Sequence, residues 1–163
     1  MSKITRRNFL KVSGASMAVA SVASYSPFAI GGASKKVVVV GGGIGGCTAA
    51  KYIRLMDPSV EVTLIEPKTK YHTGFMSNEV ISGERTLDSI GFGYDGLKAH
   101  GVTVVTDRVS AIDAEKRVVT TEGGKSYEYD RCVVSPGISY KWDAYEGYGE
   151  DVIEKIPHAW DGG

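Results

Sequence analysis

The sequence predicts an α/β domain with a central parallel sheet, and three segments near its start carry this prediction. Residues 36–40 form an apolar run with four consecutive valines, which is typical of a strand buried on both faces. Residues 47–56 are good helix formers that end before Asp57-Pro58, and residues 60–65 form a second apolar strand. The order strand, helix, strand favours parallel pairing of the two strands.

The turn between the first strand and the helix has the glycine spacing G-x-G-x-x-G. The first glycine permits a tight turn, the second lets the backbone approach a pyrophosphate, and the third lets the helix pack against the sheet. Amide N–H groups and the dipole at the helix start then hold the phosphate charge. We therefore predict a dinucleotide site rather than a mere tight turn. The residues predicted to bind are Gly41, Gly43, Ile44, Gly45 and Gly46.

Glu66 follows the second strand, about 20 residues beyond the last glycine. A carboxylate at this place accepts hydrogen bonds from a ribose hydroxyl group. A carboxylate in place of an arginine argues against binding of a 2′-phosphate, and therefore against NADP.

The rest of the chain predicts further elements of the same fold. Residues 67–81 read as a loop running into a short helix, and a second helix capped by Thr86 or Asp88 continues through Ala99. A third buried strand follows at residues 102–105. A β-meander is then predicted, with strands at 110–113, 117–121 and 126–129 and a turn at Gly123-Gly124.

The last predicted strand, residues 131–134, ends in Ser135-Pro136-Gly137. This ending is either a simple turn or a second cofactor-binding segment, in which Gly137 permits close approach of the backbone. Because the glycine turn lies upstream, we favour the interpretation as a second cofactor-binding segment.

Residues 5–11 contain Arg6-Arg7 in the pattern of a twin-arginine export signal, followed by an alanine-rich run up to Ala29. Small residues before Ser34 suit cleavage near Ala33, so we expect a signal peptide at residues 1–33 and a cofactor-binding domain at 34–163. An amphipathic helix or a membrane anchor is the alternative, but the interrupted run argues against a stable membrane span. Twin-arginine export carries folded proteins, which favours a tightly held FAD over soluble NAD. The sequence therefore predicts a Rossmann-like FAD-binding domain.

Lys and Arg total 19 and Asp and Glu total 19, so net charge gives no sign of a nucleic-acid partner, and we expect none. The histidines have no metal-ligand spacing, and the haem-attachment pattern Cys-x-x-Cys-His is absent from these 163 residues. Cys47, at the helix start, is either a reactive thiolate or a small buried residue. Cys132 reads as a core residue, and a disulfide between the two cysteines stays open.

Several segments resemble the flavoprotein subunit of flavocytochrome c sulfide dehydrogenase. They are the glycine turn with its strand, residues 62–67, Ser77-Asn78-Glu79-Val80-Ile81, residues 93–97, residues 129–134 and Pro157-His158-Ala159-Trp160. The resemblance implies a periplasmic enzyme that oxidises sulfide and passes electrons through FAD to a c-type cytochrome subunit. It also implies FAD contacts by the glycines, by Glu66 and Pro67, by the backbone of Val109 at the adenine, and by Ser135, Pro136 and Gly137.

The chain departs from that family in two ways. Many members bind FAD covalently through a cysteine where this chain has Gly74, so we expect non-covalent FAD. Members are also much longer and carry a redox-active cysteine pair, so we expect an N-terminal fragment. The alternatives are a relative of sulfide:quinone oxidoreductase or of another flavin disulfide reductase, and an FAD-binding fragment without turnover of its own.

Overall fold

The computed structural model describes residues 34–149, 151–153 and 155–156. The predicted signal peptide with its cleavage site near Ala33, and the motif at residues 157–160, lie outside the described residues. The strands are β1 (Lys36–Val40), β2 (Glu61–Ile65), β3 (Lys70–His72), β4 (Gly91–Gly93), β5 (Val102–Val105), β6 (Val109–Asp113), β7 (Val118–Thr121), β8 (Ser126–Glu128) and β9 (Arg131–Val134). The helices are α1 (Ile44–Met56), α2 (Ser77–Ile81) and α3 (Asp95–Ala99), with short 3₁₀ helices at Gly74–Met76, Leu87–Ile90 and Trp142–Ala144.

Four strands form the central sheet in the order β5-β2-β1-β9, and each neighbouring pair is parallel. Val40, the last residue of β1, is in register with Ile65 on one side and Val134 on the other. The predicted central parallel sheet is therefore confirmed. Parallel pairing brings the carboxyl ends of all four strands to one edge of the sheet, where ligands bind in folds of this class.

The valines of β1 alternate between two core clusters on opposite faces of the sheet. Val37 and Val39 pack with Ala50 of α1, while Val38 and Val40 pack with Val119 of β7. Val39 and Val119 are both 0% exposed. Neither face of β1 meets water, so the side chains on both faces have to be apolar. This is the physical reason for the run of four valines.

Helix α1 begins at Ile44, three residues before the predicted start. Its first turn therefore includes Gly45 and Gly46, which propensity alone disfavours in a helix. It ends at Met56, where the Asp57 N–H still donates to the Ile53 carbonyl at 3.0 Å. The predicted stop before Asp57-Pro58 is confirmed.

The meander is also confirmed: β6, β7 and β8 form an antiparallel sheet of three strands. Gly124 in its turn has φ +77°, a conformation that favours glycine. The meander supplies Val119 and covers one face of the central sheet. The opposite face is covered by α1, with Leu97 of α3 in the same cluster.

The predicted helix from Thr86 or Asp88 through Ala99 is wrong in its first part. The chain instead forms the 3₁₀ turn Leu87–Ile90 and the strand β4, and only α3 is helical. Gly91 and Gly93 are poor helix residues, and strand β4 pairs antiparallel with β3, which the sequence analysis read as loop. Pairing across a ribbon thus overrides the local helical pattern.

Candidate cofactor site

Three sequence-predicted segments meet at the carboxyl edge of the central sheet. The Gly41 N–H donates to the Ile65 carbonyl at 2.9 Å, and the Ser135 N–H donates to the Val40 carbonyl at 2.8 Å. Sheet pairing therefore continues past the ends of the strands into both predicted cofactor-binding segments. The glycine turn lies between Glu66 on one side and Ser135 on the other.

The N-terminus of α1 opens onto this edge without a side-chain cap. Gly43 is the N-cap residue, and the first turn contains no acidic side chain. The first N–H to reach an intrahelical acceptor is that of Cys47, which donates to the Gly43 carbonyl at 2.9 Å. The N–H groups of Ile44, Gly45 and Gly46 precede it and have no acceptor within the helix. With the helix dipole, they make this end suitable for an anion.

The glycines of the turn are required for different reasons. Gly41 has φ +99°, and a β-carbon added to it would lie 2.1 Å from the Ser135 carbonyl oxygen. A β-carbon added to Gly46 would lie 1.9 Å from the Gly41 carbonyl oxygen. At Gly43 the nearest atom would be Tyr71 Cε2, at 3.7 Å. Gly41 and Gly46 thus serve the packing of the turn, whereas Gly43 keeps space open at its surface.

Glu66 is held by two backbone N–H groups. Its Oε2 atom accepts from Gly42 N at 2.7 Å, and its Oε1 atom accepts from Lys68 N at 2.9 Å. Each carboxylate oxygen has two lone pairs, so both retain capacity to accept a hydroxyl proton. The carboxylate is therefore already oriented beside the glycine turn, as the ribose prediction requires.

A cavity of about 640 Å³ lies over this edge, which is within the size range of small-molecule and cofactor sites. Its wall joins a polar part at the glycine turn and Glu66 to aromatic side chains of Tyr71, Phe75 and Tyr140. The residues present fit a flavin dinucleotide, because the uncapped helix and Gly43 admit a diphosphate and the aromatic wall suits a flat ring. The predicted residues that line the cavity are Gly41, Gly43, Ile44, Gly45, Glu66, Ser135, Pro136 and Gly137.

Three predicted residues do not line the cavity. Gly46 is buried beneath the turn, and Pro67 is exposed after Glu66. Val109 begins β6, and its side chain packs against the cluster on the meander face. The proposed contacts of Pro67 with FAD and of the Val109 backbone with adenine stay predictions.

One residue that was not predicted from the sequence, Tyr94, shapes the turn from the inside. Tyr94 is 6% exposed, and its hydroxyl donates to the Gly42 carbonyl at 3.1 Å. It also lines the cavity, together with Lys68, Lys70 and His72. Tyr94 precedes a short helix in the segment 93–97 that carries the family resemblance, but no local pattern assigns a role to its hydroxyl group.

The structure decides between the readings that were open for the cysteines. Cys47 is half-buried and its Sγ donates to the Gly42 carbonyl at 3.0 Å; burial, and next the charge of Glu66, raise its pKa. Both observations favour a half-buried, protonated thiol over a reactive thiolate at the helix start. Burial likewise raises the pKa of Cys132, which packs in the cluster on the opposite face, and both thiols are free. Because the sheet separates the two clusters, no disulfide joins them.

A family model described as pyridine nucleotide-disulphide oxidoreductase matches residues 35–159. The chain belongs to this family. A second model, for the twin-arginine translocation signal sequence, matches residues 3–23, which indicates export across a membrane. Within the part of the chain that the structure describes, no helix has the length and apolar character needed to cross a membrane.

Two curated relatives and one solved structure carry the comparison further. The flavoprotein chain of sulfide dehydrogenase (flavocytochrome c) from Chlorobaculum thiosulfatiphilum is 60% identical over 47 residues, which is 29% of this chain and 98% of the compared sequence. The sulfide-quinone reductase of Aquifex aeolicus is 30% identical over 105 residues, covering 64% of this chain and 24% of that protein. The solved sulfide:quinone oxidoreductase of Aquifex aeolicus superposes with a TM-score of 0.62 at 29% identity, covering 64% of this chain and 25% of that one.

These matches confirm the resemblance drawn from the motifs and the Rossmann-like fold of the family. The chain spans about a quarter of the length of the sulfide-quinone reductase that it matches.

Proposed function

We propose that this chain is the FAD-binding part of a sulfide dehydrogenase flavoprotein that oxidises sulfide and passes electrons through FAD to a c-type cytochrome subunit. One observation carries the proposal: the uncapped start of α1, the oriented Glu66 carboxylate and Ser135–Gly137 border one cavity. The relative with 60% identity is a flavocytochrome c flavoprotein chain, which supports sulfide and a cytochrome as the reaction partners.

The residues of this chain bind and orient the cofactor. Backbone N–H groups at the start of α1 would hold the diphosphate, and Glu66 would accept hydrogen bonds from the ribose hydroxyls. Pro67 and Val109 would add contacts on the adenosine side, while Ser135, Pro136 and Gly137 would line the second edge of the cofactor. The chemistry that bound FAD would supply is the transfer of electrons from sulfide to haem.

FAD is held without a covalent bond in this proposal. Gly74 lines the cavity at the place where many family members carry the attaching cysteine, and a glycine has no sulfur to form a thioether. The free thiol of Cys47 is directed to the Gly42 carbonyl instead.

The twin-arginine signal supports a periplasmic location, with residues 1–33 as the cleaved signal peptide and residues 34–163 as the FAD-binding domain. The folded domain would take up FAD before export, because the twin-arginine route carries folded proteins.

A second candidate is a sulfide:quinone oxidoreductase, which would deliver the electrons to quinone. The similarity to the enzyme of Aquifex aeolicus in both sequence and structure favours it. The two candidates share the flavin site and differ in the electron acceptor.

The decisive experiment is purification of the polypeptide containing this chain from cells supplied with riboflavin. We expect a yellow protein whose flavin is bleached by sulfide without oxygen and recovered by adding a c-type cytochrome. Precipitation with acid should release the flavin into the supernatant. A colourless protein would refute the FAD proposal, flavin retained in the acid pellet would refute non-covalent binding, and reoxidation by quinone alone would favour the second candidate.

A further inference from the structure

The carbonyl group of Gly42 is held from inside the protein by two donors on different elements. The Tyr94 hydroxyl donates to it at 3.1 Å, and the Cys47 Sγ donates at 3.0 Å. Tyr94 is buried and Cys47 is half-buried, so water competes little for this carbonyl. The oxygen is therefore directed at these two protein donors.

The orientation of that carbonyl decides the direction of the next N–H. No peptide bond is cis in the described ranges, and in a trans peptide the C=O and the following N–H point in opposite directions. With the Gly42 carbonyl held inward, the Gly43 N–H faces the open side, where Gly43 lines the cavity. On the other side of Gly42, its own N–H is bonded to Glu66 Oε2 at 2.7 Å.

Nothing in the backbone itself secures this direction. Gly42 and Gly43 both lack a β-carbon, and glycine adopts positive and negative φ with similar ease. A rotation of the Gly42–Gly43 peptide would turn its carbonyl toward the cavity, and the negative end of the peptide dipole would then face the phosphates.

We propose that Tyr94 and Cys47 are positioning residues that keep the Gly43 N–H, rather than the Gly42 carbonyl, directed at the diphosphate of the cofactor. This role rests on the proposed function, because it presumes that FAD is the ligand.

Two further observations agree with the role. Burial, and then the charge of Glu66, raise the pKa values of both Tyr94 and Cys47, so both keep the protons that they donate. A β-carbon on Gly42 would lie 2.6 Å from the Tyr94 hydroxyl and 2.7 Å from Glu66 Cγ. Gly42 thus has to be a glycine for the side chains of Tyr94 and Glu66 to come this close to it.

The test measures the dissociation constant of FAD for variants of the polypeptide containing this chain. Tyr94→Phe removes one donor and should weaken FAD binding roughly fivefold, as expected for one lost hydrogen bond. Cys47→Ala should weaken FAD binding less than Tyr94→Phe does, because a thiol is a weak donor. Cys47→Ser keeps a donor at this position and should bind FAD as tightly as the unsubstituted protein. The double variant, Tyr94→Phe with Cys47→Ala, should lose more than either single variant.

A second readout needs no cofactor. The ¹³C chemical shift of the Gly42 carbonyl should move upfield in Tyr94→Phe, because the carbonyl loses a hydrogen bond. If Tyr94 serves stability alone, Tyr94→Phe should move the carbonyl resonance and lower the melting temperature but leave the dissociation constant of FAD unchanged.

Matched controls exist on the opposite face of the sheet. Tyr127→Phe and Cys132→Ala remove a hydroxyl and a thiol from the meander-side cluster and should leave both readouts unchanged. If the unsubstituted protein binds FAD and the double variant binds it equally tightly, the positioning role is refuted and the proposed function stands. Failure of the unsubstituted protein to bind FAD would overturn the proposed function and this role together.

Discussion

Two glycines of the same turn should separate cofactor binding from folding when each is replaced by alanine. Gly46→Ala places a β-carbon 1.9 Å from the Gly41 carbonyl oxygen and 3.3 Å from Val39 Cγ1. Gly43→Ala places it no nearer than 3.7 Å to any neighbour, at a backbone φ of −73° that alanine adopts freely. The first substitution therefore strains the protein, and the second occupies only the space reserved for the ligand.

The magnitudes follow from these distances. Because the closest neighbour of the added carbon at Gly46 is backbone, α1 must shift by about 1 Å, and we expect a loss near the upper end of overpacking, about 3 kcal/mol. This corresponds to a melting temperature roughly 10 °C lower. Gly43→Ala exchanges a good N-cap residue for a poor one, which costs about 1 kcal/mol or less. Its methyl group should weaken FAD binding roughly 100-fold, by the free energy of a comparable overlap with the diphosphate.

The assay is thermal and urea unfolding with and without FAD, at an FAD concentration about 100 times the dissociation constant of the unsubstituted protein. FAD should then stabilise the unsubstituted protein by about 2.7 kcal/mol and Gly43→Ala by only about 0.4 kcal/mol. Without FAD, Gly43→Ala should unfold almost like the unsubstituted protein. Full FAD stabilisation of Gly43→Ala, or normal stability of Gly46→Ala, would refute the division of roles.

Two further predictions concern titration. The Asp130 carboxylate joins β9 to β1 by accepting a hydrogen bond from Lys36 N at 2.9 Å, and this bond lowers the pKa of Asp130. In the same way, a hydrogen bond from the Thr121 side chain lowers the pKa of Asp107. A hydrogen bond from the Lys116 backbone lowers the pKa of Asp113. A carboxylate whose pKa is lowered by folding stabilises the protein at pH values above its unfolded pKa of about 3.9, and this stabilisation is lost as the pH falls through the folded pKa. The urea concentration at the midpoint of unfolding should therefore be constant above about pH 5 and fall below about pH 4. Asp130→Asn should fall less steeply, and an identical acid profile would contradict the assignment. Cys47 and Cys132 should react slowly with iodoacetamide at neutral pH and faster at alkaline pH, because burial raises both pKa values; rapid neutral labelling of Cys47 in a mass spectrum would restore the thiolate reading.

The parts of the fold that the sequence predicted are those that a single segment specifies. The valines of β1 are apolar on both faces because both faces are covered, whereas Thr63 interrupts the apolar pattern of β2 and the exposed Thr103 that of the edge strand β5. The β3–β4 ribbon was missed because each of its strands has three residues and neither has a periodic pattern. Its existence depends on pairing between Tyr71 and Phe92, which local propensity does not register.

The candidate site divides along the same line. The glycine spacing and Glu66 were predictable, since each residue performs its role beside the strand that it follows. Tyr94 was not, because its contribution is one hydroxyl reaching a carbonyl 52 positions earlier in the chain. A motif records which backbone must approach a phosphate, but it does not record which distant side chain decides whether that backbone presents an N–H or an oxygen. For a turn with three consecutive glycines, that second requirement is as demanding as the first, since an oxygen facing the diphosphate would repel the ligand for which the glycines make room.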